Sequence, residues 1–92
     1  MPAVAAVTIN FGAPDDTFEC VQSLIATGYD PLRIIVVDNG SAPEHLQRLK
    51  ACLPSGVEVI ESPRNLGFAG GNNLGIRRAL EQGAMYVLLL NN

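Results

Sequence analysis

The strongest constraint on this chain is an alternation. Four short β-leaning apolar runs, residues 3–9, 33–37, 57–61 and 85–90, are separated by stretches with helical spacing. The run at 57–61 alternates apolar and polar residues, whereas RIIVV at 33–37 and MYVLLL at 85–90 are nearly continuous. Continuous runs suit strands covered on both faces, and strands that alternate with helices build a parallel sheet. The pattern predicts β-α-β-α-β-α-β, an α/β class in three layers with about four strands and three helices.

Each intervening stretch carries helix signals. In the first, Phe18, Val21, Leu24 and Ile25 recur at helical spacing, Asp15 or Asp16 is placed to cap the start, and Gly28 to stop it. In the second, Ser41-Ala42-Pro43-Glu44 reads as a capping box with proline in the first turn. Leu46, Leu49 and Leu53 follow as the buried stripe. The third is predicted at about 70–82, with Ile76, Ala79 and Leu80 inward and Gly83 as its stop.

Composition narrows the class. Ninety-two residues allow one core. An apolar share of 48% against 16% charged residues excludes disorder. The net charge is −3, and the six Lys and Arg are scattered, which argues against a nucleic-acid partner. No apolar run reaches about 18 residues, so no transmembrane segment is expected. The start lacks a basic region, so no signal peptide is expected. Cys20 and Cys52 form no metal spacing; they read as buried structural thiols in a reduced, cytoplasmic setting.

Right-handed crossovers predict the strand order 3-2-1-4, a Rossmann-like half-domain. Ligands of such sheets bind at the carboxyl ends of the strands, where the order reverses. The residues gathered there are polar or glycine-rich: Thr8 to Gly12 after strand one, Asp38 to Ser41 after strand two, Ser62 to Asn73 after strand three, and Asn91 and Asn92 after strand four.

Five pieces of this rim and its strands, VTINFG at 7–12, ECVQSL at 19–24, IIVVDNGS at 34–41, NLGFAGGNNLGI at 65–76 and LLLNN at 88–92, resemble in order the amino-terminal part of a family-2 glycosyltransferase of GT-A fold. The NLGFAGGNN form is most similar to rhamnosyltransferase-like members of bacterial polysaccharide assembly. The resemblance implies a single nucleotide-sugar-binding subdomain over residues 1–92, cut before the metal motif and the acceptor-binding half. It implies a parent that transfers a sugar from a UDP or dTDP donor, with inversion, to a glycan or lipid-linked acceptor, working in the cytoplasm or at the inner face of the membrane.

For individual residues, the resemblance makes Asp38 the acceptor of the pyrimidine N3–H. A carboxylate selects uracil and thymine, which donate there, over cytosine, which accepts. The plainer alternative is an Asx turn into the second helix. Thr8 and Asn10 would line the base and ribose pocket. Phe11 would flank the base or cover the first helix. Asn65 and Gly67 would approach the ligand, or the segment would only shape the floor. GFAGG is neither GxGxxG nor a Walker loop. Arg64 would approach the ribose or phosphate or stand in solvent. Asn72 and Asn73 would satisfy backbone groups. Asn91 stands where the family's first acidic residue commonly lies, and would contact the ribose. The full-length enzyme is expected to use Mg or Mn; this fragment, which lacks the metal-holding acid, is expected to bind none and to be inactive. Its unpaired run 85–90 is expected to support a homodimer.

Two other classes fit less well. A nicotinamide-binding Rossmann half would use Asp38 on the ribose, but Asn10-Phe11-Gly12-Ala13 lacks the glycine-rich turn. The other is a non-catalytic module, a receiver-like domain or an oligomer-forming α/β unit; a receiver would need an acidic pair at strand one, where Asp15 and Asp16 come five residues too late, and an acceptor Asp at strand three, which ends in Glu61-Ser62-Pro63.

Overall fold

A computed structural model describes residues 2–91. Seven elements alternate: β1 (Val4–Asn10), α1 (Pro14–Ala26), β2 (Leu32–Asn39), α2 (Pro43–Cys52), β3 (Val57–Ser62), α3 (Gly67–Glu81) and β4 (Tyr86–Leu90). The strands are all parallel in the order β3-β2-β1-β4. The crossover rule had predicted this order. A cis Asp30–Pro31 peptide leads into β2.

Register assigns each side chain a face. Ala6, Ile34 and Val36 pack with Val21 and Leu24 of α1 and Leu49 of α2. On the other face, Ala5, Val7, Ile35 and Val37 pack with Ala79 of α3. The two central strands are thus buried on both sides, which is why their sequences are nearly continuous in apolar residues. Burying each such valine or isoleucine contributes about 1.5–3 kcal/mol.

Helix α3 lies unusually close to the sheet. A Cβ on Gly71 would stand 3.0 Å from Ile9 Cδ1, and one on Gly75 would overlap Val7 Cγ1. Away from the core, α3 is tied to β3 by Arg78, whose Nε donates to Glu58 Oε2 at 2.7 Å. That hydrogen bond, with the attraction of the carboxylate, raises the guanidinium pKa above its ordinary value. Gln82 Nε2 donates to the other oxygen of Glu58 at 2.8 Å, while its own buried Oε1 has no partner among the described residues.

Several local expectations are corrected. The N-caps are Ala13, Ala42 and Leu66, none with a side-chain cap bond. Asp15 and Asp16 lie inside the first turn of α1, after Pro14. Ser41 does not cap α2, because its hydroxyl oxygen is taken by the Gly12 N–H at 2.9 Å. α3 begins at Gly67 rather than near Gly70: the Leu66 N–H just before it is held by Asn39 Oδ1 and the Gly67 N–H by Asn65 Oδ1. Ile25 and Leu80 are 46% and 62% exposed and face away from the core. Cys52 is exposed, not buried. Among the described residues no helix is long and apolar enough to cross a membrane. β4 forms an outer edge on which Tyr86, Leu88 and Leu89 remain exposed.

Candidate functional site

Parallel pairing brings the strand endings to one rim, and the ladder runs further into them than the apolar runs suggest. Asn10, Asp38 and Glu61 stand in register on β1, β2 and β3. All three point to the face covered by α1 and α2.

Asp38 is 1% exposed, and its carboxylate is held from two sides. Asn10 Nδ2 donates to Oδ1 at 3.0 Å, and the Ser41 N–H donates to Oδ2 at 3.2 Å. The second bond spans three residues, one more than the Asx turn that the sequence allows, and closes the loop after β2 onto Asp38. Asn10 is itself fully buried. It donates weakly to Ser41 Oγ at 3.4 Å and accepts from Thr17 Oγ1 at 2.6 Å. Both of its amide protons are therefore spent on Asp38 and Ser41, so Asn10 fixes the carboxylate from below.

Glu61 is in register beside Asp38 on the neighbouring parallel strand, and like charges so placed repel. Lys50 Nζ meets Glu61 Oε2 at 2.8 Å, which offsets the repulsion. The two acids border a cleft of about 340 Å³. Pro43 and Leu46 of α2 form one wall, and Ser62 and Pro63 the other. Each Asp38 oxygen keeps a lone pair beyond the bond it already accepts. This cleft offers an acceptor set between apolar walls, an arrangement suited to a flat group with a donor on its edge.

On the opposite face, Asn39 clamps the loop into α3. Its Nδ2 donates to Asn65 Oδ1 at 3.1 Å and to the Gly67 carbonyl at 3.0 Å, and its Oδ1 accepts from the Leu66 N–H at 2.9 Å. Asn65 Oδ1 also accepts from the Gly67 N–H at 2.7 Å. Asn65 and Gly67 thus reach the rim engaged with each other and with Asn39. Beside them Gly40, at φ +80, lies flat on the next loop: a Cβ there would stand 2.5 Å from both the Arg64 carbonyl carbon and the Asn65 nitrogen. The Arg64 carbonyl accepts from Ser62 Oγ at 2.6 Å, and the residue is otherwise exposed.

Thr8 sits one layer below the rim, fully buried, with its hydroxyl donating to the Leu90 carbonyl at 3.1 Å. Asn91 is exposed at the mouth of a second groove of about 300 Å³, whose other members include Ile9, Phe11, Phe68 and Leu90. This groove lies between β1 and β4, where the strand order reverses. Phe11 and Phe68 are 57% and 63% exposed. Asn72 is buried on the inner side of α3, and Asn73 is exposed. His45 is half-buried in a third cleft at the α1–α2 seam, beside the Arg48–Asp15 pair. Asn92 lies outside the described residues.

Among the described residues no three His, Cys, Asp or Glu side chains gather to hold a metal ion. At the mouth of the β1–β4 groove Asn91 offers only a neutral amide, which does not fit a divalent cation, a hard ion that prefers carboxylate oxygens. Sequence reasoning missed the parts played by Thr17, Asn39 and the Ser41 side chain. The Asn39-Gly40 pair at the end of a strand was the available signal for a clamp and a tight turn.

The family model described as glycosyl transferase family 2 matches residues 6–92. The galactofuranosyltransferase GlfT1 of Mycobacterium tuberculosis is 37% identical over 91 residues, which are 98% of this chain and 30% of that protein. The low-salt glycan biosynthesis hexosyltransferase Agl10 of Haloferax volcanii is 30% identical over 89 residues, 96% of this chain and 27% of its own length. An uncharacterized glycosyltransferase of Haemophilus influenzae is 30% identical over 78 residues, 82% and 24% of the respective chains. The chain thus spans less than a third of the curated relatives it matches. With all but the first two residues of β1, and every later strand and helix, inside the matched region, the chain belongs to glycosyl transferase family 2.

Proposed function

We propose that this chain is the donor-binding part of a glycosyltransferase acting in glycan synthesis, and that it holds a nucleoside diphosphate sugar with a uracil or thymine base. One observation carries this reading. Asp38, buried and braced by Asn10 and Ser41, borders a cleft at the carboxyl rim with acceptor capacity to spare. A ring N–H directed at that carboxylate makes a charge-assisted bond, about twice as strong as a neutral one.

The rest of the donor follows the rim. The base lies over Asp38, between Pro43 and Pro63. The ribose passes Gly12, and the diphosphate and sugar run toward the β1–β4 crevice and Asn91, roughly 10 Å away at two strand spacings. Asn65 and Gly67 bound the site from the α3 side.

In the full protein an acceptor hydroxyl, from a glycan or a lipid-linked saccharide, attacks the anomeric carbon from the face opposite the diphosphate, so configuration inverts. Its proton passes to a general base, and the nucleoside diphosphate departs. Groups that take the proton or hold a Mg or Mn ion belong to the longer enzyme. The chain by itself binds the donor without transferring sugar. Its open β4 edge pairs with a second copy, since Tyr86–Leu90 carries neither charge nor proline to block pairing.

Calorimetry with UDP, dTDP, CDP and NAD tests the reading. Heat with UDP or dTDP, lost in Asp38→Ala, supports it. Equal binding of CDP, or binding of NAD alone, overturns it. Sugar transfer from a UDP-sugar by the purified chain would refute its assignment as a binding part only.

A further inference from the structure

The hydrogen bonds around Ser41 constrain its hydroxyl proton. Ser41 Oγ accepts from the Gly12 N–H at 2.9 Å and from Asn10 Nδ2 at 3.4 Å. A serine hydroxyl has two acceptor positions and one donor. Both acceptor positions are filled from the β1 side, so the proton must point elsewhere. Among the described residues it meets no acceptor. Yet Ser41 borders the same cleft as Asp38, and its own N–H rests on Asp38 Oδ2 at 3.2 Å. A donor and an acceptor therefore stand side by side on the cleft floor.

The chain enforces this polarity. The Asp38 carboxylate only accepts, so the Asn10 amide must present its NH₂ to it, and Asn10 Oδ1 is left to accept from Thr17. The second amide proton then falls on Ser41 Oγ. Turning the Asn10 amide over would set two oxygens against each other. The arrangement is built by three elements, β1, β2 and α1, and leaves one outward proton next to one outward lone pair.

We infer that the Ser41 hydroxyl is a base-reading residue: it donates to the ring carbonyl adjacent to the N–H that Asp38 accepts. An imide edge carries that pair, an N–H flanked by C=O, at one-bond spacing. The inference rests on the pyrimidine reading of Asp38 and adds a second contact to it. Ser41 touches the ligand directly, whereas Asn10 and Thr17 act through Asp38 and Ser41 as positioning residues.

The test titrates the full 92-residue chain with UDP, with N3-methyl-UDP, and with the two UDP analogues that carry sulfur in place of one ring carbonyl oxygen. Ser41→Ala should bind UDP about tenfold more weakly, the effect of one net hydrogen bond. Ser41→Thr, which keeps the hydroxyl, should stay within about threefold. The analogue with sulfur at the contacted carbonyl should bind wild type several-fold more weakly than UDP, with no further loss in Ser41→Ala. Wild-type affinity for UDP in Ser41→Ala, or the same loss for UDP and both sulfur analogues, would overturn the inference. Where Ser41→Ala does not fold, the sulfur analogues on wild type decide: weakening at one carbonyl supports the contact, and no weakening at either overturns it. N3-methylation tests Asp38 separately. If N3-methyl-UDP binds as well as UDP, the pyrimidine reading itself fails; if it does not bind and Ser41→Ala is silent, only the Ser41 contact fails.

Discussion

Asn10 and Asp38 are 28 residues apart in sequence and paired in register, and the amide of one donates to the carboxylate of the other at 3.0 Å with both side chains buried. Removing the amide takes the Asn10 donor from Asp38 Oδ1 and the Asn10 acceptor from the Thr17 hydroxyl. Asn10→Ala should lower stability by about 2 kcal/mol, the scale of unsatisfied buried polar groups. Asn10→Asp sets two buried carboxylates in contact and should cost more, about 3 kcal/mol or beyond. Urea denaturation measures both; a shift below about 0.5 kcal/mol for Asn10→Ala would remove this bond from the structural account.

Gly40 and Gly56 both have positive φ, at +80 and +94, but different surroundings. A Cβ on Gly56 meets nothing within 4 Å, whereas one on Gly40 is driven into the Arg64 and Asn65 backbone. Gly56→Ala should therefore cost only the left-handed penalty of about 1–2 kcal/mol. Gly40→Ala adds backbone displacement and should cost clearly more. It should also weaken nucleotide binding, because Asp38 and Ser41 flank the turn. Equal midpoints for the two variants would argue against the contact between loops.

Gly75 pits helix propensity against packing. Alanine favours a helix interior over glycine by about 0.8–1 kcal/mol. Here its Cβ would overlap Val7, so Gly75→Ala should be destabilising despite the propensity gain. Val7→Ala opens the space that the new methyl needs. A double-mutant cycle should give a favourable coupling of about 1 kcal/mol or more. Simple additivity would show that α3 lifts without cost.

The β4 edge makes a prediction about association. Leu88 is 46% exposed in a strand with no charge. Leu88→Lys should shift the chain toward monomer in sedimentation velocity at high concentration, because an edge lysine opposes strand pairing. A wild-type chain that sediments as monomer throughout would exclude pairing through this edge.

The layers and strand order were legible because strong signals carried them. Continuous β-branched runs marked the central strands, and the glycines marked the turns. Helix phase in α3 was not legible. Its inner side consists of Gly71, Asn72, Gly75 and Ala79. Small residues on a closely docked helix leave no hydropathic stripe, and Leu80 took their place in the reading although it faces outward. The caps failed for a related reason. Ser41 is a good N-cap residue, but a partner on another loop, the Gly12 N–H, took its oxygen. Asp38 and Asn10 were readable as rim residues from strand position alone. Their mutual bond depends on register, which a single sequence does not specify.

The contact at Gly40 also bears on motion. Its turn rests on the Arg64–Asn65 backbone, and Asn39 bonds to Asn65, Leu66 and Gly67 just beyond. The segments after β2 and β3 are thus coupled into one rigid block, and neither can swing without carrying the other. The Phe11–Gly12 corner has no such backbone contact: a Cβ on Gly12, at φ +67, would meet nothing within 4 Å, and its tie to the block is the Gly12 N–H on Ser41 Oγ. One side of the rim is therefore locked by backbone contact, and the other is joined to it by a single hydrogen bond through Ser41.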